Sequence, residues 1–184
     1  RIEENIASLT RREMSVKRLA LDKAVKKGVV DYVDPSPVYF EHLSHFVDME
    51  KLRRRKLNIM VDPMYGAGIG YFKAILQGGN LKIVEINAER NPAFPQIQPE
   101  PIARNLAKLS RSVVARKDDV GLATDGDADR IGIVDERGQF LTQHQVFALL
   151  CLYLLEVRGE RGAMVRTLTS TMMLSRLGKL FDVP

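Results

Sequence analysis

The chain has 184 residues, 45% hydrophobic and 28% charged, the balance of an ordinary globular fold. No apolar run reaches membrane-spanning length and no signal-peptide pattern is present, so no membrane partner is expected. A single cysteine, Cys151, rules out an internal disulfide and fits a reducing cytoplasm. The net charge of +5 lies mostly in residues 1–57, where 13 Lys and Arg face 9 Asp and Glu. Much of that excess is Arg53-Arg54-Arg55-Lys56, at the end of a predicted helix whose macrodipole it complements. No zinc-finger spacing, aromatic RNA-binding signature or sustained basic stripe accompanies it, so nucleic acid is not an expected partner.

The sequence opens at Arg1 already in helical pattern, with Ile2, Ile6 and Leu9 on one face, which reads as a cut into a longer protein. Residues 14–27 continue a helix-compatible pattern that Gly28 stops. Val29–Val33 reads as a short strand. A helix carrying Tyr39, Leu43, Phe46 and Val47 follows, and Asp48 is placed to cap a further helix through Arg55. His42 and His45 lack a carboxylate or cysteine nearby and read as surface or packing residues.

From residue 57 the pattern is regular. Leu57–Val61 is a predicted buried strand, residues 62–68 a turn, Ile69–Gln77 a helix and Leu81–Ile86 a second strand, a βαβ unit that implies parallel pairing. The glycines of that turn, Gly66, Gly68 and Gly70, approach a dinucleotide fingerprint, but the third is one residue early. With Glu85 and Glu89 near the place for a ribose-binding acid, a nucleotide-binding oxidoreductase domain is the alternative reading. A tight strand-to-helix turn is preferred. Four prolines between Asn87 and Pro101 forbid regular structure there. Asn105–Val114 is a predicted helix, and Asp118-Asp119 is expected to be solvated.

Next comes Thr124-Asp125-Gly126-Asp127-Ala128-Asp129-Arg130, between the β-prone runs 120–123 and 131–134. Three aspartates on alternate positions of a tight loop repel one another, and a hard divalent cation relieves that repulsion by accepting several carboxylates. An EF-hand would set Asp125, Asp127, Asp129 and Glu136 at its first, third, fifth and twelfth positions. It would also need glycine where Arg130 stands, and helices where the flanks read as strands. A plain acidic turn is the bland reading, since Asp-Gly is a common hairpin signal. Beyond the loop come a returning strand 131–134 and a short edge piece at Phe140-Leu141. An apolar helix over 145–157 holds a buried Cys151, and His144 stands just before it as a helix-start residue. A predicted strand over 163–168 and a helix capped by Ser170 or Thr171 through Leu180 complete the chain. Alternating strands and helices predict an α/β fold, a three-layer α/β/α with a mixed, largely parallel sheet.

Gly121-Leu122-Ala123-Thr124-Asp125-Gly126-Asp127-Ala128-Asp129-Arg130 resembles the metal-binding loop of the α-D-phosphohexomutases, the phosphoglucomutase/phosphomannomutase group. The Asp62-Pro63-x-x-Gly66-x-Gly68 turn and the proline-rich stretch 92–101 are similar to segments of the same family. The resemblance implies Asp125, Asp127 and Asp129 as Mg²⁺ ligands, Arg130 as a catalytic donor to the moving phosphoryl group, and Arg166 as a contact for substrate phosphate. It implies a hexose phosphate substrate moved between C1 and C6 phosphates through a phosphoserine enzyme, with a sugar 1,6-bisphosphate as intermediate and activator. It further implies the end of domain one and its connector at 1–56, domain two at 57–160 and the start of domain three at 161–184. The family's Thr-x-Ser-His-Asn-Pro nucleophile segment is absent, and Ser44-His45 is not assigned to that role. Remaining mutase domains are therefore expected in the intact protein, and this stretch alone is expected to be inactive. A non-catalytic metal-binding module on the same fold is the other alternative.

Overall fold

The computed structural model describes residues 2–11, 18–95 and 97–184, and these form two units, 1–45 and 46–184.

The first unit is helical. Its described helices are α1 (Ile2–Arg11), α2 (Leu21–Lys26) and α3 (Ser36–Ser44). Gly28, at φ +66, ends α2 as expected; it takes a left-handed conformation at no Cβ cost. The Gly28 and Val29 N–H groups then close the last turn on the carbonyls of Val25 and Ala24. The strand expected at Val29–Val33 does not form: Tyr32 and Val33 are exposed, and no strand lies beside them among the described residues. β-Branched residues favour a strand only where a neighbour supplies a ladder. His42 on α3 and His45 just after it are both exposed, their rings 6.2 Å apart. Of the helix-compatible pattern at 14–27, residues 14–17 lie outside the described residues.

The second unit holds the sheet. Its elements are α4 (Met49–Arg54), β1 (Asn58–Asp62), α5 (Tyr71–Leu76), β2 (Lys82–Glu85), a 3-10 turn (Ala103–Asn105) and α6 (Ala107–Arg116). Then come β3 (Val120–Thr124), β4 (Ile131–Asp135), β5 (Phe140–Leu141), α7 (Gln143–Leu152) with a π-turn (Tyr153–Val157), and α8 (Met173–Phe181). The strand order is β2-β1-β3-β4-β5. β1 pairs parallel with both β2 and β3, while β3–β4 and β4–β5 are antiparallel, so the sheet is mixed.

Side chains alternate across a strand, and both faces of β1 are covered. Met60 faces Leu109 and Val113 of α6, together with Ala123 and Val134. Ile59 and Val61 face Leu76, Phe72 and Ile75 of α5 and Met49 and Leu52 of α4. The result is helix, sheet, helix. Leu109 and Val113 are fully buried, and each such burial contributes roughly 1.5–3 kcal/mol. Gly121 lets α6 lie this close, since a Cβ there would stand 2.8 Å from the Val113 side chain.

Asp48 caps α4 by accepting from the Lys51 N–H at 2.8 Å. Thr142 and Gln145 form a reciprocal capping box that starts α7 two residues before the expected helix, with His144 in its first turn. Thr171, not Ser170, serves the start of α8, where its hydroxyl accepts from the Met173 N–H. Cys151 is buried as expected, and burial pushes its thiol pKa up.

Two further expectations fail. Residues 163–168 form no strand: Val165 and Leu168 are exposed, and no neighbouring strand among the described residues offers a partner. Asp118 is not solvated either. It is 3% exposed and paired with Arg116 at 3.2 Å, while the Asp119 carboxylate accepts from the Asn58 N–H at 2.7 Å and so extends the β1–β3 pairing. No described helix is long and apolar enough to cross a membrane.

Candidate metal centre

The antiparallel return from β3 to β4 forces the chain to reverse within residues 125–130, beside the parallel β1–β3 pair. Ala128, at φ +63, makes the reversal, and its N–H donates to the Asp125 carbonyl at 3.2 Å. The turn brings together the three aspartates expected to act together. One carboxylate oxygen each from Asp125, Asp127 and Asp129 lies within 4.8 Å of the other two.

The three differ in setting. The Asp125 side chain is 1% exposed and both its oxygens are engaged by Arg130: Oδ1 accepts from the backbone N–H at 2.9 Å and Oδ2 from Nε at 2.7 Å. Burial alone would push the Asp125 carboxyl up. The Arg130 backbone N–H and guanidinium, with a hydrogen bond from Asp129, outweigh it and lower the pKa to about 2. Asp127 and Asp129 are exposed. The Asp129 carboxyl is pushed up, first by its hydrogen bond with Asp125 and then by the charges of Asp127 and Asp125.

Arg130 spans three acids, with Asp129 Oδ1 the most distant at 3.8 Å from its Nε. Its Nη1 reaches Glu100 Oε1 at 3.1 Å while Nε holds Asp125, and its side chain stays 54% exposed. Sequence reasoning missed Glu100, because nothing in Pro99-Glu100-Pro101 marks it and the pairing bridges a separation of thirty residues. It also missed what the proline-rich stretch does. The Pro99 carbonyl accepts from the Gly126 N–H at 3.2 Å, and a Cβ on Gly126 would stand 3.3 Å from the Phe94 ring.

The turn after β1 packs on the other side of the loop. The Ala67 N–H donates to the Gly126 carbonyl at 3.0 Å. A Cβ on Gly66 would come within 2.5 Å of that same oxygen, and one on Gly68 would overlap the Thr124 hydroxyl. These glycines permit close backbone approach to the acidic loop. Glu85, the candidate ribose-binding acid, is also engaged elsewhere: it accepts from the Gly70 N–H at 3.1 Å and pairs with Lys73 at 3.3 Å. A cavity of about 450 Å³ remains between the turn and the proline-rich stretch, lined by Tyr65, Ile69, Arg90 and Phe94.

Arg166 is not brought into this cluster. It lines a different cavity, of about 380 Å³, with Ser175 and Lys179. Its guanidinium donates to the Ser175 hydroxyl at 3.2 Å and to the Thr167 carbonyl at 3.4 Å.

Residues 37–138 match the family model described as phosphoglucomutase/phosphomannomutase, alpha/beta/alpha domain II. A phosphoglucomutase/phosphomannomutase of Thermococcus kodakarensis is 34% identical over 141 residues, covering 77% of this chain and 31% of the relative. A probable phosphoglucosamine mutase of Methanosarcina acetivorans is 34% identical over 123 residues, covering 67% and 28%. The crystal structure of a putative phosphomannomutase from Thermus thermophilus superposes with a TM-score of 0.77 at 34% identity, covering 82% of this chain and 35% of that one. The chain thus spans about a third of the length of the curated relatives it matches.

Proposed function

The chain belongs to the phosphoglucomutase/phosphomannomutase family, and from that premise we propose that it supplies the metal-binding part of an enzyme moving a phosphoryl group between the C1 and C6 oxygens of a hexose phosphate. The observation that carries this reading is the convergence of three carboxylates on one loop, with Arg130 fixed beside them by Asp125 and Glu100. The donor set fits Mg²⁺: all three ligands are hard oxygens, two are exposed, and their mutual repulsion is relieved by a divalent charge. Asp125, Asp127 and Asp129 would hold the ion. Bound there, it would draw charge from a phosphoryl oxygen.

The chain's own contribution is positioning. Asp125 orients the Arg130 guanidinium through Nε, and Glu100 steadies its far edge. A planar donor held in this way suits a phosphoryl group whose charge is spread over several oxygens. Arg166 would contact substrate phosphate from the second cavity. The phosphoserine nucleophile and the loops that select the sugar belong, in this reading, to the remaining domains. Residues 1–56 would close domain one and its connector, 57–160 form domain two and 161–184 open domain three. A sugar 1,6-bisphosphate would serve as intermediate and activator, in the cytoplasm.

The test is a coupled assay of the intact protein with glucose 1-phosphate, mannose 1-phosphate and glucosamine 1-phosphate as alternatives, with a trace of the bisphosphate. Turnover that needs Mg²⁺ and collapses in Asp127→Asn supports the proposal. Full turnover in that variant overturns it, and no turnover on any hexose phosphate leaves the non-catalytic module as the better reading. The dinucleotide alternative is disfavoured by Gly66, Gly68 and Glu85, whose contacts are made within the protein. Titration with NAD is expected to show no binding.

A further inference from the structure

Asp62 is a fully buried carboxylate at the end of β1, and the proposed chemistry gives it no task. Burial pushes its pKa up, against the hydrogen bonds that it accepts. A buried charge of this kind must be satisfied, and here a turn satisfies it. Asp62 Oδ1 accepts from the Met64 N–H at 2.9 Å, and both oxygens accept from Asn87 Nδ2, at 3.0 and 2.9 Å. Asn87 in turn receives Lys108 Nζ on its side-chain oxygen and the Tyr65 N–H on its carbonyl.

Met64, Tyr65 and Asn87 all have positive φ, at 47, 62 and 50°. Three non-glycine residues in that region are costly unless the surroundings over-determine them. Asp62 and Asn87 are the groups that do so. The far end of the same turn touches the acidic loop: Ala67 N–H holds the Gly126 carbonyl, between Asp125 and Asp127, and Gly66 lies flush against it.

We propose that Asp62 is the positioning residue of the acidic loop, acting through Asn87 and the 63–67 turn on the backbone at Gly126. Its consequence for Mg²⁺ rests on the metal-centre reading; its consequence for loop geometry does not. Hydrogen exchange of the ion-free protein and Mg²⁺ calorimetry therefore test the two separately. In Asp62→Asn, an amide opposes the Asn87 amide and the pair no longer matches. The amides of Ala67, Gly126 and Ala128 should exchange at least about tenfold faster while those of β1 are unchanged, and Mg²⁺ should bind about tenfold more weakly. The swap Asp62→Asn/Asn87→Asp rebuilds a complementary pair that still accepts Lys108, and should restore both readouts.

Loop exchange at the wild-type rate in Asp62→Asn overturns the proposal. So does acceleration that rises equally in β1, or failure of the swap to restore the loop in a folded protein. If Asp62→Asn does not fold, Lys108→Met decides, because its site is exposed: loop exchange about threefold faster supports the proposal, and an unchanged rate overturns it. Absence of Mg²⁺ binding in the wild type would sink the metal reading, while the exchange data would still decide this one.

Discussion

Replacing Gly66 by alanine probes the contact on which the site is built. The added Cβ would lie 2.5 Å from the Gly126 oxygen, 2.8 Å from its Cα and 2.9 Å from its carbonyl carbon. All three atoms are backbone, so no side-chain rotation relieves the clash. Turn and loop must separate by roughly 1 Å, a displacement of the kind that overpacking imposes at about 1–3 kcal/mol. Because the Gly126 carbonyl lies between two of the three carboxylates, the same shift spoils their convergence. Mg²⁺ demands near-octahedral geometry, and disturbed support of its ligands typically costs 10–100-fold in affinity. Denaturant unfolding without metal would give the first number, and calorimetry of the folded protein the second. Gly162→Ala is the control, since a Cβ there meets nothing within 4 Å. Wild-type stability and Mg²⁺ affinity in Gly66→Ala would refute the reasoning.

The Asp125–Arg130 pair makes stability depend on acid. A carboxyl lowered from 3.8 to about 2 in the folded state stabilises above 3.8 and loses that contribution as pH falls through about 2. The gap in unfolding free energy between wild type and Arg130→Met, at most about 2 kcal/mol and reduced by solvent around the half-exposed arginine, should narrow from about pH 5 to about 2; a gap that does not change with pH would contradict this. In the intact enzyme, Arg130→Ala should lower kcat by about a hundredfold or more, the loss typical of a transition-state donor, with little change in Tm. Unchanged turnover would reduce Arg130 to an ion-pair partner. The 184-residue chain alone should show no mutase activity in the coupled assay, because no Ser-His-Asn-Pro segment stands in it and no described residue is placed to carry the phosphoryl group. Turnover above an Asp125→Asn/Asp127→Asn/Asp129→Asn control would mean that the active site is misplaced.

The sheet and its covering helices were legible because their signals are local and periodic. β1, β3 and β4 are short β-prone runs bounded by turns, and Leu109 and Val113 mark the inner face of α6 four residues apart. The acidic loop was legible because alternate aspartates have few structural uses. What could not be read depends on partners distant in sequence. Residues 163–168 carry a strand's composition but find no ladder among the described residues. Asp118 looks like a surface acid, yet it is buried and paired with Arg116, with its N–H donating to the Val113 carbonyl. Glu100 and Asp62 are single acids whose roles exist only once the proline-rich stretch and the 63–67 turn close on either side of Gly126. The two glycines that look like half of a nucleotide fingerprint serve that closure.

Calorimetric titration of Mg²⁺ into wild type and Asp127→Asn decides whether residues 125–129 form a Mg²⁺ site. Asp127 is the variant to use, because it is exposed and Asp125, not Asp127, holds Arg130, so its loss leaves the loop's internal hydrogen bonds in place. One ion should bind per wild-type chain, and the variant should bind it at least about tenfold more weakly. The same isotherm for both proteins, or no heat from either, would contradict the metal site.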